Sequence, residues 1–187
     1  IAENIVFTAD SFNPQFIEML KSDKALLEKL NNNWEKENDD PKYDLFLTKF
    51  NTEFLNSDTN HSGKLVIFSE SVDTLTYLYK RLTEDVGRGD VLMATAANRK
   101  HLFDTIKNNF DANADNDEGK YNVILTSDVL AEGVNLHRSN VIINYDSPWN
   151  ATRLMQRIGR VNRIGSVAPY IYNYMFYPSQ QGDKEIR

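Results

Sequence analysis

Cysteine is absent from the 187 residues. Without thiols there is no disulfide scaffold, no thiolate nucleophile and no cysteine-ligated zinc or iron–sulfur site. The absence fits a reducing compartment, and the expected location is the cytoplasm. Histidine is scarce: His61, His101 and His137 lie far apart without ligand spacing, so no metal site is expected. No apolar run approaches the ~20 residues that cross a bilayer, and no signal-peptide pattern opens the chain, so no membrane partner is expected. Basic residues are outnumbered, 21 Lys and Arg against 27 Asp and Glu, for a net charge of -6. Taken as a whole, that argues against a protein that coats nucleic acid nonspecifically.

The chain is 41% hydrophobic, enough for a core, and its length suits one domain with a helical extension. The start at Ile1 suggests a piece excised from a longer chain. From Phe12 to Trp34 the apolar residues Phe16, Ile17, Leu20, Leu27, Leu30 and Trp34 recur at helical spacing. An acidic break follows. Asp40 and Pro41 then read as the N-cap and first residue of a second helix carrying Leu45, Phe46, Phe50, Phe54 and Leu55. The segment NSDTNHSG, Asn56 to Gly63, is a loop by composition.

Beyond Gly63 short apolar runs alternate with amphipathic stretches. Strands are expected at Leu65–Ser69, Val91–Ala94, Val123–Thr126, Val141–Tyr145 and Tyr170–Phe176. Helices are expected at Val72–Leu82, Asn98–Phe110 and Ala151–Val161. Continuous apolar strands alternating with helices predict an α/β fold with a parallel sheet covered on both faces. In such sheets ligands collect at the C-terminal strand ends. The acidic tract Asp111 to Glu118 reads as a solvated loop, and Trp34 and Trp149 read as packing or interface residues.

Two stretches carry candidate chemistry. QRIGRVNRIG, Gln156 to Gly165, places Arg157, Arg160 and Arg163 three residues apart, on roughly one helix face, with Gly159 beside them. Forked, permanently charged guanidinium groups suit phosphate oxygens and can stabilise charge on a transferring phosphoryl group. A solvated basic face is the alternative. TSDVLAEGVNL, Thr126 to Leu136, follows the third strand: Ser127 offers a hydroxyl, Asp128 can cap a short helix, Gly133 allows close backbone approach and Asn135 offers an amide. An ordinary loop with a glycine turn is the alternative there.

Together and in this order, these stretches resemble the second RecA-like lobe of superfamily-two helicases, and within them the SWI/SNF-type ATPases, with bacterial RapA-like members nearest in character. KLVIFSES (Lys64 to Ser71) is similar to motif IV. VLMATAANRKHLFDTIKNNF (Val91 to Phe110) resembles the next strand and helix, with Arg99 and Phe110 at the usual places. TSDVLAEGVNL resembles motif V, and VIINYDSPWNATRLMQRIGRVNRIG (Val141 to Gly165) resembles the stretch that ends in motif VI. DPKYDLFL (Asp40 to Leu47) looks like the helix ahead of motif IV.

The resemblance implies a three-layer RecA-like domain with a mostly parallel sheet flanked by helices over 61–187, preceded by a helical connector over 1–60. It implies that Arg160 and Arg163 face the ATP phosphates, one of them as the arginine finger. Gln156, Gly133 and Asn135 would lie near the nucleotide, and Ser69, Thr95 and Ser127 near the nucleic-acid backbone. Glu132 and Asn135 depart from the arginine and aspartate found there in many RNA helicases, which fits the SWI/SNF side.

No G-x-x-x-x-G-K-[ST] segment occurs, and Asp146 is followed by Ser147 rather than glutamate, so Asp146 reads as structural. The phosphate loop, the Mg2+ ligands and the water-activating base are therefore expected in an N-terminal RecA-like lobe acting in cis, outside this chain. This chain alone is expected not to hydrolyse ATP. The implied partner is nucleic acid, double-stranded DNA in the first instance. An RNA helicase or restriction-type motor lobe, or a non-catalytic binding module, are the other readings. The acidic net charge does not oppose a phosphate partner locally: from Ser147 to Gly182 there is no Asp or Glu, while Arg153, Arg157, Arg160 and Arg163 all lie there.

Overall fold

The computed structural model describes residues 7–177, apart from 9, 10, 38, 117 and 132. Two compact units are present, Ile1–Leu45 and Phe46–Arg187.

The first helix, α1 (Pro14–Trp34), is entered through Asn13, whose side chain accepts the Gln15 N–H at 2.9 Å, with proline at the first helical position. The second, α2 (Pro41–Lys49), is capped by Asp40, whose carboxylate accepts the Tyr43 N–H at 2.9 Å. It relaxes into a π turn at Phe50–Phe54. Within the second unit, Phe46 gathers the rings of Phe50, Phe54, Tyr145 and Phe176 at centroid distances of 5.5 to 6.2 Å. Offset and edge-on pairs of this kind add to the area they bury.

A five-stranded parallel sheet organises the second unit. Its strands are β1 (Leu65–Phe68), β2 (Val91–Ala94), β3 (Val123–Thr126), β4 (Val141–Asn144) and β5 (Tyr172–Met175), in spatial order β2-β3-β1-β4-β5. Three helices connect them: α3 (Val72–Lys80, continued as a π turn), α4 (Phe103–Phe110) and α5 (Ala151–Val161). Parallel neighbours need such crossovers. Val66, Phe68, Ile124 and Ile142 pack on one face with Ile106, Phe110 and Val161. The alternate set Leu65, Ile67, Val123, Leu125, Val141 and Ile143 is equally buried. Burial on both faces is why β1 to β4 read as unbroken apolar runs.

The regular part of α4 starts at Phe103, not at Asn98. Asn98 uses its side chain locally instead, accepting the Thr95 N–H at 2.7 Å and donating to the Met93 carbonyl at 3.0 Å. That turn competes with helix and delays it. No described helix is long and apolar enough to cross a membrane.

Candidate functional site

Phe68, Thr126 and Ala94 are register partners across β1, β3 and β2. The next residue of each strand, Ser69, Ser127 and Thr95, therefore stands in one row along the C-terminal edge of the sheet. All three are buried. The Ser69 hydroxyl donates to the Asp146 carboxylate and accepts the Ser71 N–H at 3.2 Å. Asp146 thus ties the end of β4 to the end of β1. Thr95 opens the turn closed by Asn98, its hydroxyl 3.4 Å from Asn98 Oδ1. The Ser127 carbonyl accepts the Leu130 N–H at 3.4 Å, starting a 3₁₀ turn over Asp128–Ala131.

Helix α5 is begun by Asn150, whose side chain accepts the Arg153 N–H at 2.9 Å. Its arginines do not share one environment, as their spacing had suggested. Arg157 is 0% exposed. Its Nε donates to Asp128 Oδ1 at 2.6 Å and its Nη1 to Asn144 Oδ1 at 3.0 Å, while the guanidinium lies 5.2 Å from the Phe68 ring centroid. Arg153 reaches Asp128 at 3.2 Å and Glu70 at 3.5 Å. Two of the four arginines in the acid-free segment are therefore matched by carboxylates from the ends of β1 and β3. The Asp128 carboxylate serves these arginines, and no capping bond from it is seen among the described residues.

The other two arginines lie with the segment after β3. Arg160 is half-buried, and its carbonyl accepts the Leu136 N–H at 2.9 Å. Arg163 is exposed. Its Nε donates to the Gly159 carbonyl at 3.2 Å and its Nη1 to Asn135 Oδ1. Gly133 sits three residues before Leu136 at φ 98°, a conformation that L side chains rarely adopt. Gln156 is exposed on α5. Arg163 thus meets Asn135 through its side chain, and Arg160 meets the neighbouring Leu136 through its main chain, with Gly133 on the same segment, while Ser69, Thr95 and Ser127 form a separate row. Trp149, expected to be a packing or interface residue, is 89% exposed, so it does not pack within this domain. Glu132 lies outside the described residues, as do Ile1 and the end of the acid-free segment.

Asn135 contacts one of a pair of buried polar side chains, Asp111 and His137. Asn135 Nδ2 donates to Asp111 Oδ2 at 3.3 Å, and His137 Nδ1 lies 3.6 Å from Asp111 Oδ1. Burial holds the His137 pKa below its ordinary value. Asp111 opposes that shift, while the charges of Arg163 and Arg138 reinforce it. The tract 111–118 is thus not simply a solvated loop: Asp111 is buried, and Glu118 accepts from Asn108 at 2.8 Å.

The pattern of the family described as Helicase conserved C-terminal domain matches residues 47–165. The chain belongs to this family. Over 56 residues it is 48% identical to the uncharacterized ATP-dependent helicase YqhH of Bacillus subtilis, covering 29% of this chain and 10% of that protein. Over 98 residues it is 34% identical to the ATP-dependent RNA helicase ROK1 of Yarrowia lipolytica, covering 51% and 16%. The chain therefore spans only a small part of these relatives. Among solved structures, the C-terminal part of the Fun30 ATPase domain superposes with a TM-score of 0.58 at 18% identity, over 76% of this chain and 43% of that one. Saccharomyces cerevisiae Dbp5 bound to RNA and ADP BeF3 superposes with a TM-score of 0.54 at 21% identity, over 78% and 34%. The helicase C-terminal domain described here has the RecA-like α/β fold that the motifs implied.

Three residues that hold the side chains of Arg157 and Asn135 were not legible as their partners. Asp128 was read as a cap, Asn144 as part of a strand and Asp111 as part of a loop. One signal was available for Arg157: Leu154, Ile158 and Val161 mark the apolar stripe of α5, and position 157 falls on that stripe at i+3 and i−4. A charged residue there is either misplaced or paired inside the core.

Proposed function

We propose that this domain is the C-terminal lobe of an ATP-dependent DNA translocase of the SWI/SNF type, preceded by a helical connector. ATP would lie between this lobe and an N-terminal RecA-like lobe of the same protein, which supplies the phosphate loop, the Mg2+ ligands and the water-activating base. Arg160 and Arg163 are the groups that meet the phosphates, one of them as the finger, and Gly133, Asn135 and Gln156 border the nucleotide. The observation that carries this reading is the junction of the two motif segments: Arg163 rests on the Asn135 amide while the Arg160 carbonyl holds Leu136. Permanently charged forks suit phosphate oxygens. The row Ser69, Thr95 and Ser127 borders the nucleic-acid backbone, and contacts to phosphate make such binding independent of sequence. Asn135, the PWN segment and motif VI favour the SWI/SNF type. Identity to the RNA helicase ROK1 favours a second reading, an RNA motor.

The test is ATP turnover by the full-length protein with double-stranded DNA or single-stranded RNA added. DNA stimulation is expected, and RNA stimulation alone would establish the second reading. Arg160→Ala or Arg163→Ala should lower turnover on the order of a thousandfold for whichever arginine is the finger. Turnover intact in both variants sinks the assignment. This chain by itself is expected to show none.

A further inference from the structure

Asp111 closes α4 as its C-cap residue and is buried. Its carboxylate is shared between two donors. The Asn113 N–H reaches Oδ1 at 2.9 Å and Asn135 Nδ2 reaches Oδ2 at 3.3 Å. Asn135 passes the contact on, its Oδ1 accepting from Arg163 Nη1. An ionised carboxylate only accepts, whereas a primary amide donates at one end and accepts at the other. Asn135 must therefore turn its nitrogen toward Asp111, which leaves its oxygen for the guanidinium. We propose that Asp111 is a positioning residue for Arg163: it fixes which end of the Asn135 amide faces that arginine and so holds the guanidinium in one place. This rests on the reading of Arg163 as a phosphate-facing group.

His137 Nδ1 lies 3.6 Å from Asp111 Oδ1 and makes no hydrogen bond to it. Neither ring nitrogen has a hydrogen-bond partner, and its pKa is held below the ordinary histidine value by burial and by Arg163 and Arg138, against the pull of Asp111. The same geometry accounts for an amide rather than a carboxylate at position 135. Two carboxylates at the 3.3 Å spacing of this pair would repel.

The experiment is steady-state ATP hydrolysis by the full-length protein and four variants: R163A, D111N, N135D and the swapped double variant D111N/N135D. An asparagine at 111 can present its own nitrogen, which lets the Asn135 amide turn over and face Arg163 with a donor. D111N is expected to lower kcat about tenfold, as misplacement of a reacting group does. The KM for ATP should stay within about twofold, because the loss belongs to the transition state. N135D should also be impaired, because it sets two carboxylates together. The swap restores one amide and one carboxylate and should return kcat to within about threefold of wild type. A residue that only supports the fold gives no such rescue.

If R163A collapses turnover while D111N leaves kcat unchanged, the proposal is overturned and the phosphate-facing reading stands. If the swapped variant is no better than the worse single variant, the proposal is likewise overturned. If R163A keeps wild-type turnover, the phosphate-facing reading fails and the proposal with it.

Discussion

Replacing Arg157 by alanine tests whether this arginine is a structural clasp or a phosphate ligand. Four consequences follow from its surroundings. The Asn144 Oδ1 acceptor loses its donor in a buried setting, which costs about 1–3 kcal/mol. The Asp128 carboxylate loses its 2.6 Å partner but keeps Arg153 at 3.2 Å, and its side chain is 23% exposed. Water and Arg153 therefore soften that loss, which places it below the full penalty for a stranded buried charge, about 3–5 kcal/mol. The Phe68 ring loses the cation 5.2 Å from its centroid, worth about 1 kcal/mol. A fully buried long side chain also leaves a cavity that the sheet and helix close only in part. The sum is at least roughly 4 kcal/mol, a large share of the ~5–15 kcal/mol that holds a domain folded. At about 2–4 °C per kcal/mol for a unit of this size, the melting point should fall by on the order of 10 °C. Circular dichroism melts of this chain, wild type against R157A, measure it. A variant melting within about 2 °C of wild type refutes the clasp and returns Arg157 to the exposed basic face.

Two further predictions need only this chain. Burial, helped by Arg163 and Arg138, lowers the His137 pKa below 6.5 in the folded state. The unfolded chain then binds the proton first as pH falls, so this contribution is complete above about pH 6.5 and is lost below it. Urea midpoints at about pH 7.5 and about pH 5.5 should show a smaller acid-side decline for H137L, and equal declines would refute the assignment. Replacing Asn150 by alanine removes the acceptor for the Arg153 N–H. It should cost about 1 kcal/mol, read as a shift of about 2–4 °C in the same melts.

The sheet was the most legible part of the molecule. Val91–Ala94, Val123–Thr126 and Ala151–Val161 have the bounds expected from the sequence, because a strand buried on both faces and a helix with an asparagine cap each leave a local mark. The motifs put Arg160, Arg163 and Asn135 on two stretches, and the structure joins those stretches at Arg163–Asn135 and at Arg160–Leu136. The environment of Arg157 was not: an arginine inside a core and one on a surface carry the same letter, and its partners Asp128 and Asn144 lie 29 and 13 residues away. Asp111 was hidden for the same reason. It meets Asn135 across 24 residues, and no period links them. Local competition also escaped notice at Asn98, where side-chain bonds to Thr95 and Met93 outweigh helical propensity.

The bond from Leu136 N–H to the Arg160 carbonyl is made by main chain alone. A library of alanine substitutions passes over it in silence, since every residue except proline supplies the same donor. This main-chain half of the joint is therefore indifferent to which side chains flank it, unlike the Arg163–Asn135 contact, and genetic screens that count only side-chain losses will underrate it.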